Sequence, residues 1–151
     1  MKMVTDGVLE KYKENYCRIF KSIYPSKNGT GFTERNLSVN FAKAYESAHK
    51  DSITWYEFQF GYRNSQHYDA IIVDHKNRRL IVIESKRFTN TVKKVESVGK
   101  DIQRIREFEK DTHLREFDKR IPALKEYSVI GVILADVWTE GTEKSKIKAI
   151  L

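Results

Sequence analysis

Apolar residues recur along this chain at two different periods, and the change of period divides it. Over residues 5–24, Val8, Tyr12, Ile19 and Ile23 fall at three- or four-residue steps or their multiples, the spacing that gathers side chains on one helical face. The turn-rich stretch Pro25-Ser26-Lys27-Asn28-Gly29-Thr30-Gly31 interrupts the pattern. Thr33 then stands as the N-cap of a second helix reaching His49, with Leu37, Phe41, Ala44, Tyr45 and Ala48 as its stripe. Ile53–Phe60 is rich in aromatic and β-branched residues and predicts a strand. Tyr68–Val73 and Leu80–Ile83 are two further short apolar runs, and the polar stretch Asp74–Arg79 between them predicts a hairpin.

The longer period then returns. Thr91–Glu109 predicts a helix with Val95, Val98, Ile102 and Ile105 as its buried seam, and residues 112–120 extend the helical pattern. Tyr127–Val137 is apolar on both faces, as expected of a central strand covered on each side. Thr142–Leu151 closes the chain as a helix. The order α-α-β-β-β-α-α-β-α predicts an α/β sandwich in which helices flank a mixed sheet of four strands. With no internal repeat, low-complexity tract or linker, residues 1–151 read as a single domain.

Composition narrows the function classes. An apolar content of 40% with 12% aromatics excludes a disordered chain. The 28 lysines and arginines outnumber the 21 acids, giving a net charge of +7, which suits a polyanionic partner although the charges are interleaved. Cys17 is the one cysteine; it excludes an internal disulfide and an all-thiolate zinc site, fits a reducing compartment, and is expected to be buried. No apolar run approaches the ~20 residues that cross a bilayer, and Met1–Asp6 lacks the apolar stretch of a secretory signal. A cytoplasmic protein without a membrane partner is therefore expected. No glycine-rich phosphate loop is present, which argues against an NTPase. His49, His67, His75 and His113 are scattered without metal-ligand spacing.

The hairpin carries the chemistry. With the turn centred between Lys76 and Asn77, Val73 faces Leu80, Ile71 faces Val82, and Asp69 faces Glu84. Side chains alternate, so Asp69, Ile71 and Val73 share a face with Leu80, Val82, Glu84 and Lys86. Two carboxylates thus project side by side at one end of the sheet, with Lys86 one step further on. Like charges opposed in this way destabilise a sheet, the more so when partly buried. A divalent cation offsets the repulsion, and Mg²⁺ takes oxygen ligands while leaving sites for water and phosphate. A lysine beside it can orient or deprotonate an attacking water and hold a phosphate oxygen. The plain alternative is a surface charge cluster in which Lys86 pairs with both acids.

At these residues the chain resembles the PD-(D/E)xK nuclease superfamily, the restriction-endonuclease-like fold. The resemblance rests on Asp69 within Tyr68-Asp69-Ala70-Ile71-Ile72-Val73-Asp74 and on Ile83-Glu84-Ser85-Lys86-Arg87. The order helix, three strands, helix, strand over about residues 33–137 looks like that family's αβββαβ core. Tyr68 stands where the family has proline. The resemblance implies metal binding by Asp69 and Glu84, with the Ser85 main-chain carbonyl as a further ligand, and a role for Lys86 at the nucleophilic water. The family often adds an acid from its first helix. At about 100° per residue, Glu34 falls inside the stripe of Leu37, Phe41, Tyr45 and Ala48, whereas Glu46 falls outside it. Glu57, on the first strand with Trp55 and Gln59, is another candidate.

Relatives also place Lys or Gln on the helix after the hairpin, which makes Lys100 and Gln103 candidates among its Lys93, Lys94, Lys100, Gln103, Arg104 and Arg106. The plain alternatives are a dipole-favouring acid for Glu34, a polar strand face for Glu57 and a solvated helix face for Lys100 and Gln103. Tyr56, Phe58, Phe60, Tyr62 and Tyr68 could stack on bases, but aromatics at strand spacing are expected in the core. The expectation is a Mg²⁺-dependent nuclease, with Mn²⁺ as substitute, acting on DNA rather than RNA through a metal-activated water. The alternative is a catalytically silent nuclease-fold module that binds nucleic acid or protein. Double-strand cleavage by so small a domain would need two copies, so a homodimer is the candidate assembly.

Overall fold

Both sheet faces are built from the alternating apolar runs. The computed structural model describes residues 6–22, 33–59, 67–88, 91–108, 121 and 123–137; the helices expected at 112–120 and 142–151 lie outside the described residues. Helix α1 (Asp6–Ser22) turns Val8, Tyr12, Tyr16 and Ile19 inward, and α2 (Glu34–Ala48) buries Leu37, Phe41, Ala44 and Tyr45. Thr33 has the extended backbone of an N-cap, but its hydroxyl makes no capping bond and instead accepts from Asn36 Nδ2 at 3.2 Å. Cys17 is exposed rather than buried, because it lies off the inward face of α1.

The sheet contains β1 (Ser52–Gln59), β2 (His67–Asp74), β3 (Arg79–Phe88) and β4 (Ser128–Val137) in that spatial order. The first three strands are antiparallel, and β4 runs parallel to β3. Helix α3 (Thr91–Arg106) lies in the crossover between β3 and β4, as parallel neighbours require. On one face Ala70, Ile72, Ile81, Ile83, Ile130 and Leu134 pack against α1 and α2. On the other, Ile71, Val73, Leu80 and Val82 meet Ile105, Phe108, Leu124 and Tyr127. Among the described residues β4 is an edge strand, not a central one. It is apolar on both faces because it lies between two helical layers: Ile130 and Leu134 join one cluster and Val129 packs on the other.

The seam of α3 is rotated from the expected one. Val95 and Ile102 are 36% and 37% exposed, whereas Asp101 and Phe108 are buried. Ile105 settles against Gly131 of β4, where any Cβ would collide with Ile105 Cγ2. The glycine admits the helix to this distance.

The hairpin register is the expected one, with Val73 opposite Leu80, Ile71 opposite Val82 and Ala70 opposite Ile83. Its turn is fastened by Asp74, which is fully buried. Asp74 Oδ1 accepts the Asn77 N–H at 3.0 Å, and Oδ2 accepts from Asn77 Nδ2 at 2.8 Å and the Tyr45 hydroxyl at 2.7 Å. Burial pushes Asp74 up, but these bonds outweigh it and hold the carboxyl below its ordinary value. Arg78, at φ 49°, supplies the left-handed residue that closes the turn. No described helix is long and apolar enough to cross a membrane.

Candidate functional site

At the far end of the hairpin from its turn, β2 and β3 part company. The last rung of their ladder is Ala70–Ile83, so Asp69 and Glu84 are not a directly opposed pair as expected. The β1–β2 ladder breaks at the same level, skipping Glu57 and Asp69. Glu57 takes φ 51°, a left-handed conformation that non-glycine residues seldom enter. Beyond this break the alternation changes phase. Phe58 and Tyr68 fall into the α3-side cluster with Ile71 and Val73, rather than sharing the face of Tyr56 and Ala70.

Strand β3 continues without β2, and its outward N–H groups need acceptors. Two carboxylates supply them. Asp69 Oδ2 accepts the Ser85 N–H at 2.6 Å, and Glu34 Oε1 accepts the Arg87 N–H at 2.7 Å. Glu34 thereby reaches the site from the first turn of α2, as the stripe geometry implied. The Ser85 side chain points the other way, with its hydroxyl 2.6 Å from that of Ser38.

Glu84 and Lys86 follow the β3 alternation onto the α3 side. Glu84 is 3% exposed and bonds Arg104 Nη2 through Oε1. Lys86 Nζ lies 3.9 Å from Glu84 Oε2 and 3.1 Å from Asp101 Oδ2. Arg104 Nη2 also lies 3.1 Å from Asp101 Oδ1, and the guanidinium sits over the Tyr68 ring, 5.0 Å from its centroid. Tyr68 thus seats an arginine. Glu57 stands at the rim, with Oε2 3.4 Å from His67 Nε2.

The expected compensation by a dication is therefore incomplete as an account of this pair. Arg104, Lys86 and the Ser85 N–H already offset part of the charge on Glu84 and Asp69. Carboxyl groups still outnumber the cations around them. Glu34, Glu57, Asp69, Glu84 and Asp101 are five carboxylates, against Lys86 and Arg104 as cations. Burial pushes Glu84 up; Asp69 and Asp101 add to this, Arg104 and Lys86 oppose it, and the carboxyl ends at about 7. Burial likewise raises Asp69 above its ordinary value, with Glu57 and Glu34 adding to it against the Ser85 bond and Lys86. Burial alone would lower Lys86, but Asp101, Glu84 and Glu34 reverse that and keep it an ammonium above its ordinary value. A lysine so held stays protonated at neutral pH, which suits it to orient a ligand rather than to act as a base.

Comparisons of the chain with family models, with curated proteins and with solved structures give no match. The reading therefore rests on the site itself.

The structure brings together Asp69, Glu84, Lys86, Glu34 and, at the rim, Glu57. It does not bring in Lys100 or Gln103. Both are exposed, and Gln103 bonds Glu107 at 2.5 Å along its own helix. In their place α3 contributes Asp101 and Arg104, neither of which the sequence reading assigned a role. The signal was present: Val98, Asp101, Ile105 and Phe108 follow helical spacing and predict an acid on the inward face, once Phe108 is counted in the seam.

The donors are all oxygens, the set that suits a hard cation such as Mg²⁺. Asp101 Oδ2 is buried, with the Lys86 ammonium 3.1 Å away. Among the described residues no three histidine, cysteine, aspartate or glutamate side chains group closely enough to hold one ion. Any ion here would thus rest on two carboxylates, a main-chain oxygen and solvent or substrate.

Proposed function

We propose that the protein is a metal-dependent nuclease of PD-(D/E)xK type with a restriction-endonuclease-like core, hydrolysing phosphodiester bonds in DNA. The observation that carries this reading is the gathering of Asp69, Glu84 and Lys86 at one end of the sheet, with the acids in excess. Asp69 and Glu84 would hold Mg²⁺, or Mn²⁺ in its place. The Ser85 carbonyl would be the third ligand, because a strand residue directs its N–H and C=O to the same edge and its N–H meets Asp69. A bound dication supplies Lewis-acid polarisation of the phosphoryl group, a more acidic water and charge for the leaving oxygen. Lys86 orients the attacking water and holds a non-bridging phosphate oxygen, and the net charge of +7 draws the polyanion in.

Nicking of supercoiled DNA tests this. Cleavage should require Mg²⁺ or Mn²⁺, stop with EDTA, and fall at least a hundredfold in Asp69→Asn and Lys86→Ala. Asparagine keeps an oxygen for the Ser85 N–H, so the folded state is spared. Cleavage that survives either substitution overturns the reading.

A second reading, a silent module of the same core that binds nucleic acid or protein, draws on Arg104 seated on Glu84. It requires DNA affinity with steep salt dependence and no response to Mn²⁺.

A further inference from the structure

Asp101 touches both cations of the cluster. Its Oδ2 stands 3.1 Å from Lys86 Nζ, closer than the 3.9 Å between Lys86 and Glu84 Oε2. Its Oδ1 stands 3.1 Å from Arg104 Nη2, the nitrogen that also bonds Glu84 Oε1. Glu84, Arg104, Asp101 and Lys86 thus close a ring of alternating charge, in which Asp101 is 8% exposed. Its hold on Lys86 combines a hydrogen bond with opposite charge. The helix that delivers Asp101 is itself fixed in depth by Ile105 against Gly131 and followed by Phe108 in the core.

Without Asp101, Lys86 and Arg104 would both be left with Glu84 as their nearest partner among the described contacts. Two cations would then compete for a carboxylate that a dication needs. With Asp101, each has a second anchor.

We propose that Asp101 is the positioning residue of this site. It holds the Lys86 ammonium closer to its own Oδ2 than to Glu84 Oε2 and shares Arg104 with Glu84, which leaves Glu84 Oε2 available to a divalent cation with Lys86 still in place. The proposal rests on the metal-dependent reading above.

The test uses the whole chain and two readouts, Mn²⁺ binding by calorimetry without DNA and steady-state nicking at saturating Mg²⁺. Asp101→Asn should lower kcat by about 10–100-fold, the usual cost of losing a supporting partner, with KM for DNA within about twofold. It should also weaken Mn²⁺ binding about tenfold. Asp101→Glu should return most of kcat. Adding Arg104→Met to Asp101→Asn should recover Mn²⁺ affinity but not kcat. Wild-type kcat and Mn²⁺ affinity in Asp101→Asn would overturn the proposal, as would a loss confined to KM. If Asp101→Asn melts below the assay temperature, Arg104→Met alone decides: Mn²⁺ affinity should rise about fivefold, and no rise refutes the competition. A wild-type chain that neither binds Mn²⁺ nor nicks DNA overturns the nuclease reading itself, a result distinct from failure of the Asp101 variants alone.

Discussion

Replacing Glu84 with glutamine removes a charge while keeping the side chain's shape, and its effect on stability should depend steeply on pH. Glu84 is raised from an ordinary 4.5 to about 7 in the folded protein. A carboxyl raised on folding stabilises while it is protonated, below its unfolded value, and that contribution is lost as pH climbs through the folded value. At about 1.4 kcal/mol for each pH unit of displacement, roughly 3 kcal/mol should vanish between pH 4.5 and 8. Glutamine carries no such liability. Urea unfolding of wild type and Glu84→Gln in EDTA, stepped through this range, measures the difference directly. The two should agree closely at pH 4.5, and the variant should be the more stable by about 3 kcal/mol at pH 8. Mn²⁺ at a hundred times its Kd should then restore about 2.7 kcal/mol to wild type and little to the variant. Parallel curves across the range would refute the argument. A variant weaker than wild type at pH 8 would show that the bond to Arg104 outweighs burial and the neighbouring acids.

Asp74→Ala leaves Tyr45 and Asn77 without their shared acceptor and should cost about 3 kcal/mol at pH 7; since Asp74 is held below its ordinary value, the gap should narrow as pH falls below about 4. Equal stability at pH 7 would dismiss the turn fastening. Gly131→Ala drives a methyl into Ile105 and should destabilise by about 1–3 kcal/mol, with a lower Tm and a lower nicking rate as α3 moves Asp101 and Arg104; an unchanged Tm counts against the close approach. Cys17 should react fully with a thiol reagent in native buffer, at the rate of an exposed thiol, and a reaction that waits for denaturant would contradict its exposure.

Much of the hairpin was legible because two independent signals agreed there. The alternation of Ile71, Val73, Leu80 and Val82 and the polar turn demand one register, and a slip by one residue would have turned every apolar side chain outward. The site was less legible where a local departure broke the period. Nothing in Glu57 as a residue type announces a left-handed backbone, so the change of phase at Phe58 and Tyr68 was hidden. The seam of α3 misled for another reason. Hydropathy places Ile102 inside and Asp101 outside, but Lys86 and Arg104 make a buried aspartate tolerable, and those partners arrive from another strand and the next helical turn. Strand β4 misled because apolar residues on both faces report two covering layers, which an edge position between α1/α2 and α3 satisfies as well as a central one.

The two carboxylates that take over from β2 have a consequence for how such a chain ages. Asp69 and Glu34 finish the hydrogen bonding of β3 whether or not any phosphodiester is ever cut. A descendant without any such chemistry would still be selected to keep a side-chain oxygen at both positions, because losing either strands a main-chain donor. Persistence of an acceptor at both positions therefore testifies to an intact sheet, and on the proposed nuclease reading a change at Lys86, which caps no strand, is the first mark that the chemistry has been lost.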